Sequence, residues 1–144
     1  MNDYREKIQS RYFTLLSEAL DVPVYDINAI PSNPQYPYVA IADWTEVDSP
    51  SKSDFGSELT LNIRVHDRAT QSASRIPVYR IADKIKSAIR TRPVPFADID
   101  GVNVITATLD DHISIPRELV DGFTYLGESL RFRHIIQQLP QNKE

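Results

Sequence analysis

The sequence predicts an α+β domain in which a mainly antiparallel sheet packs against two helices. Three observations carry this expectation: a strictly alternating segment near the middle, one amphipathic helix pattern on each side of it, and clusters of turn formers between the elements. From Ser57 to His66, Leu59, Leu61, Ile63 and Val65 alternate with Glu58, Thr60, Asn62, Arg64 and His66. Period two puts one face on a core and the other in water, which is the pattern of a half-buried antiparallel strand and one a helix cannot use.

Upstream, Tyr38 to Val47 reads as a partner strand. Simple alternation puts Val39, Ile41 and Asp43 on one face and Tyr38, Ala40, Ala42 and Trp44 on the other. The intervening segment from Asp48 to Gly56 is too polar and too rich in turn formers to continue either strand, so it is expected to be an exposed hairpin loop.

The first element in chain order is a helix from about Asp3 to Leu20. Tyr4, Ile8, Tyr12, Leu15, Leu16 and Ala19 recur at steps of three and four, while Arg5, Glu6, Lys7, Gln9 and Arg11 face away. Val24, Tyr25 and Ile27 fit a short strand. Pro31, Pro34 and Pro37 then forbid helix and withhold backbone donors, which places that loop at a surface or an edge.

After the central hairpin, Ser74 is suited to cap a second helix, and Pro77 falls in its first turn, where a missing N–H is tolerated. Ile81, Ala82, Ile85, Ala88 and Ile89 form its apolar stripe, and the helix is expected to stop before Pro93. A tight turn at Asp98 to Gly101 leads to a strand in which Val102, Val104, Thr106 and Thr108 alternate with Asn103, Ile105, Ala107 and Leu109. Asp110 to Asp121, polar and interrupted by Pro116, reads as a loop, with a short helical turn at Pro116 to Val120 as the alternative. Phe123 to Gln137 is the last strand, with Leu126, Leu130, Phe132 and Ile136 on one parity and Phe123, Tyr125, Arg131, Arg133 and Ile135 on the other. Residues 1–138 are read as one domain and 139–144 as a polar tail.

Composition narrows the function classes. A chain of 144 residues, 41% apolar and 25% charged, is ordinary globular composition and long enough to bury about 70% of its unfolded surface. It has no cysteine, which removes disulfides, thiolate chemistry and the best zinc ligands. No apolar run approaches a membrane span and the N-terminus is charged, so a soluble, unexported protein with no membrane partner is expected. The net charge of −4 argues against a module built to grip phosphates, and no specific nucleic-acid binding is expected.

Catalytic motifs are equally scarce. Asp110-Asp111-His112 is the one cluster of acids and a base that could hold a metal or share a proton, but consecutive residues point apart. The chain shows no glycine-rich phosphate loop, nucleophile elbow or His-Glu-x-x-His run, and four glycines leave little material for one. The reading is therefore of a non-enzyme with no catalytic, cofactor or metal residues.

Tyr36-Pro-Tyr-Val-Ala-Ile-Ala-Asp-Trp-Thr-Glu46, the serine- and charge-rich loop, Ser57 to His66, Ile81 to Ile89 and Gly127-Glu-Ser-Leu-Arg-Phe-Arg133 resemble, in order, spacing and spelling, the tail-completion or tail-terminator proteins of long-tailed bacteriophages and prophages. The resemblance spans roughly Val22 to Ile136. Two departures are His66-Asp67-Arg68, where an aromatic followed by serine is expected, and a longer proline-rich loop.

That resemblance implies a structural virion protein at the head–tail junction, made in the host cytoplasm, that closes into a six-fold homo-oligomeric ring. Its partners would be the tail tube protein and the head-side connector. On this reading Tyr36, Tyr38, Trp44, Asp48, Lys52, Asp54 and Phe55 are candidates for the assembly interface, since aromatics are enriched in interface cores. Arg131 and Arg133 are candidates for a lumen or an inter-subunit face. Each has a plainer reading beside it: Tyr38 and Trp44 as core, the 48–56 loop as a solvated tip, and the two arginines as paired with acidic cross-strand neighbours. The alternative in another class is a small α+β adaptor or nucleic-acid-associated binding module.

Overall fold

The computed structural model describes residues 4–48, 56–69, 74–89, 99 and 102–138. The proposed turn at Asp98 to Gly101, the loop residues Lys52, Asp54 and Phe55, and the tail 139–144 lie outside the described residues, Ile99 aside. Helix α1 (Tyr4–Ala19) is followed by β1 (Val24–Asp26), a 3₁₀ turn (Ile27–Ala29), β2 (Tyr38–Asp48), β3 (Gly56–Ala69), α2 (Ile76–Ile89), β4 (Val102–Val120) and β5 (Phe123–Gln138). The class is α+β as the sequence predicts.

The five strands form one sheet in the order β1-β2-β3-β5-β4. β1 runs parallel to β2, and every other pair is antiparallel. Both helices cover the same face. Ile8, Tyr12 and Leu16 from α1 and Val78, Ala82, Ile85 and Ile89 from α2 meet Leu59, Leu61, Ile63 and Val65 of β3 and Leu130, Phe132 and Ile136 of β5, all fully buried. Burying each of the Val, Leu, Ile and Phe side chains among them stabilises the fold by about 1.5–3 kcal/mol. This is the face that the alternation in β3 and β5 picks out. Ser74 Oγ accepts from the Ile76 amide at 3.1 Å, the N-terminal cap expected for α2.

Two expectations are corrected. Asp110 to Asp121 is not a loop: β4 runs on from Val102 to Val120 and pairs with β5 up to Val120–Phe123. Asp121 (φ 50°) and Gly122 (φ 82°) close the hairpin as a two-residue turn with both central residues left-handed. Pro116 is accommodated because β4 is an edge strand and its register shifts between Ile115 and Glu118. The second correction concerns Trp44. The β2–β3 register shifts between Ile41 and Trp44, so Trp44 pairs with Leu61 and joins Val39 and Ile41 on the helix-covered face. A similar shift between Val104 and Thr106 turns Ala107 and Leu109 towards the core.

Candidate functional site

The face of the sheet away from the helices divides into an aromatic end and a charged end. At the aromatic end, the ring of Tyr38 lies 5.4 Å from Tyr25, 5.3 Å from Tyr36 and 5.0 Å from His66, centroid to centroid. Tyr36 also lies 6.2 Å from Tyr125. The Arg68 guanidinium sits between two rings, 4.6 Å from Tyr36 and 4.4 Å from Phe123, so its charge rests on two π faces. These residues come from β1, the loop before β2, the start of β2, the end of β3 and the start of β5, so the cluster ties together four strand ends. Burial, followed by the neighbouring Tyr36 and Tyr25, pushes the Tyr38 hydroxyl up from its ordinary range. Burial also pulls the His66 imidazole down, with Arg64 adding to the effect.

At the charged end, Arg133 bonds Glu58 at 2.8 Å and lies 3.9 Å from Asp110. Arg131 lies 3.4 Å from Asp111 and 3.7 Å from Asp110, and Arg64 lies 3.1 Å from Asp43. The arginines are thus set among acids on adjacent strands rather than projecting as a bare cationic row. Such exposed pairs contribute little stability, and their effect is a face of alternating sign.

The helix-covered face holds three polar arrangements. Trp44 Nε1 donates to Gln9 Oε1 at 2.7 Å, and Gln9 Nε2 donates to Asp26 Oδ2 at 2.7 Å. This chain joins β2, α1 and β1 along one side of the molecule. Deeper in the core, His134 Nδ1 lies 2.8 Å from the Leu59 carbonyl, which can only accept, so the proton is on Nδ1 and Nε2 accepts from the Tyr12 hydroxyl. Burial lowers the imidazole to about 4, opposed only by the Leu59 bond. Glu128, 1% exposed, is the third centre. Arg75 Nη1 donates to its Oε2 at 2.9 Å, His112 Nε2 to its Oε1 at 2.8 Å, and Ser114 Oγ to both oxygens at 3.0 and 3.1 Å. Arg75 also donates to the carbonyls of Gly127 (3.1 Å) and Ile115 (2.7 Å).

The sequence candidates are therefore dispersed. Tyr36 and Tyr38 meet in the aromatic cluster. Asp48, paired with Ser57, lies ten residues along the same strand, about 30 Å away at the strand rise. Trp44 is on the opposite face, edge-on to Tyr12 at 6.4 Å. Asp110 and Asp111 face Arg131 and Arg133, whereas His112 turns to Glu128 on the other side of the sheet. Among the described residues no group of three or more metal-ligating side chains converges, and no helix is long and apolar enough to cross a membrane.

No protein-family model matches the sequence, and a search of curated proteins gives no match either. Among solved structures, a chain from the virion of a native gene transfer agent particle superposes with a TM-score of 0.66. The two share a fold. The match covers 90% of this chain and 93% of that one, at 16% sequence identity, so nearly the whole architecture is common to both.

Sequence reasoning missed the Glu128 centre altogether. Its one available signal was Glu128 itself, an acid on the same parity as Leu126, Leu130 and Phe132, which marks a charge facing the core.

Proposed function

We propose that this chain is a structural virion protein of phage type that works by assembly and carries out no catalysis. In the finer reading it closes into a homo-oligomeric ring that ends the tail tube and meets the head-side connector at the head–tail junction. The observation that supports this most is the near end-to-end fold likeness to a chain of a gene transfer agent virion. The order and spelling of the segments from Val22 to Ile136 point the same way.

The surfaces suit the role. An open sheet with two edges can make the head-to-tail contact that a closed ring requires. The aromatic cluster has the tyrosine and arginine composition of interface hot spots, with Tyr36 and Arg68 half-buried and Tyr38 buried beneath them within the subunit. Arg131 and Arg133, set among Asp110, Asp111 and Glu58, suit a lumen or inter-subunit face past which DNA slides without being held. The test is oligomeric state: native mass spectrometry and negative-stain imaging at high concentration, with and without tail tubes. Closed rings, alone or on tube ends, are expected. A protein that stays monomeric with tubes and binds DNA with a steep salt dependence overturns the proposal.

A further inference from the structure

We infer that two copies of this chain associate face to face through the aromatic end of the open sheet, about a two-fold axis that runs along β5 over Tyr125. Each copy then sets its Arg68 against Glu118 of the other. The contact goes beyond the ring reading and does not depend on it, since it uses the sheet face and leaves the β1–β2 and β4 edges uncovered.

The register places the charges. Arg68 pairs with Tyr125 and Tyr125 pairs with Glu118, so the three side chains form one row across β3, β5 and β4 on the face away from the helices. At about 5 Å between neighbouring strands, the cation and the acid leave backbones about 10 Å apart, with the tyrosine midway. Arg64, Arg131 and Arg133, the other arginines of β3 and β5, each have a carboxylate partner within the subunit. Among the described residues, the Arg68 guanidinium has only the rings of Tyr36 and Phe123, and the exposed Glu118 has no charged partner.

When two such faces pack about an axis parallel to β5, the β3 side of one copy meets the β4 side of the other. Arg68 therefore meets Glu118 twice, and Tyr125 meets Tyr125, as an isologous contact requires. An axis along the row would instead set Arg68 on Arg68 and Glu118 on Glu118, so charge selects the first arrangement. Apolar surface flanks the pairs: Val120, 40% exposed, lies beside Phe123 on this face, and Ile113, 54% exposed, lies further along β4. The rings that clamp Arg68 already fix its guanidinium, so little side-chain freedom is lost when the carboxylate arrives. Further along β5 the same axis brings Arg131 and Arg133 over their own copies, which holds the sheets apart there and confines the contact to the aromatic end.

The test is sedimentation velocity, without tail tubes, of the unmodified protein, Arg68→Glu, Glu118→Arg and an equal mixture of the two variants. The unmodified protein should show a monomer–dimer equilibrium that weakens as salt is raised. Each variant alone faces like charges twice across the axis, and its dimerisation should weaken roughly tenfold or more. In the mixture every facing pair is again opposite in sign, so heterodimers should return to the unmodified level. Glu118→Gln leaves the rings around Arg68 untouched and should fall between the unmodified protein and Glu118→Arg, an arm that stands even if Arg68→Glu unfolds. Rings, where they form, sediment far ahead of dimers, so the outcome is read whether or not the ring reading holds. A protein that stays monomeric, single variants that dimerise as well as the unmodified chain, or a mixture of folded variants that recovers nothing overturns the inference. So does loss of tail-tube capture in Arg68→Glu from a protein that never dimerises, which gives the surface to another partner.

Discussion

Lowering the pH should remove stability through one imidazole. His134 is fully buried, donates from Nδ1 to Leu59, accepts from Tyr12, and is held neutral with its pKa lowered from 6.5 to about 4. A folded-state value below the unfolded one means that the unfolded chain takes up the proton first. The contribution is therefore complete above pH 6.5 and is lost as the pH falls towards 4. At 1.36 kcal/mol per unit the full span is about 3 kcal/mol, and between pH 7 and pH 5 the loss is about 2 kcal/mol. Urea unfolding of the unmodified protein and of His134→Asn across this range isolates the effect, because carboxylates and the other histidines titrate in both. Asparagine keeps the donor to Leu59 and removes the imidazole acceptor that the Tyr12 hydroxyl uses, a cost of about 1–3 kcal/mol at neutral pH. The stability gap between the two proteins should shrink by about 2 kcal/mol between pH 7 and pH 5. A gap that stays constant would refute the assignment of His134 as a buried neutral group.

Arg75→Ala should cost about 3 kcal/mol in urea unfolding, since it strips a buried carboxylate of its cation, and hydrogen exchange should quicken in residues 110–127. Unchanged exchange there would show that Arg75 does not hold the hairpin. Gly127→Ala should cost about 1–3 kcal/mol, because the new Cβ would come within 2.9 Å of Ile115 Cδ1 and 3.1 Å of the Val65 carbonyl oxygen. Ile115→Val in the same chain should recover only part of that, as the backbone oxygen cannot retreat; full recovery would place the strain wholly in Ile115. Asp121→Gly should be nearly neutral and Asp121→Val destabilising by about 1–2 kcal/mol, given the positive φ at that position, with thermal unfolding as the readout.

What could be read from the sequence follows from where the pattern is regular. β3 and β5 each keep strict alternation beside two neighbours, so Leu59 to Val65 and Leu126 to Ile136 name the core face correctly. α1 and α2 follow from their apolar steps, and the Ser74 cap from its chemistry. The misreadings fall where the register shifts. One extra residue at Ala42-Asp43 carries Trp44 to the other face, and nothing in the local composition marks that bulge. In β4 the run Asp110 to Pro116 looks like a loop because its acids and its proline suit one. Those acids are answered by Arg131 and Arg133, twenty residues on, and the proline lies at a shifted register on an edge. Pairing across the sheet supplied both explanations, and pairing is what a single segment does not display. Glu128 illustrates the same limit: its parity marks it as inward, but Arg75 and His112 are brought to it only by the fold.

On the ring reading proposed above, the form of β4 bears on how copies join without running on into fibres. A 19-residue edge strand is long enough to template strand addition. Three register shifts, between Val104 and Thr106, Leu109 and Asp111, and Ile115 and Glu118, break its regular edge into short pieces, and Pro116 removes one donor. Backbone pairing along this edge is thereby disfavoured, while Ile113, Leu119 and Val120 remain free to make side-chain contacts. The opposite edge differs: β1 offers only three residues, paired with Val39–Ile41, and the rest of β2 has no described strand on its outer side. On the proposed ring, the broken β4 edge leaves contact between copies to shape and side chains at fixed angles, and fixed angles are what close a ring instead of extending a sheet.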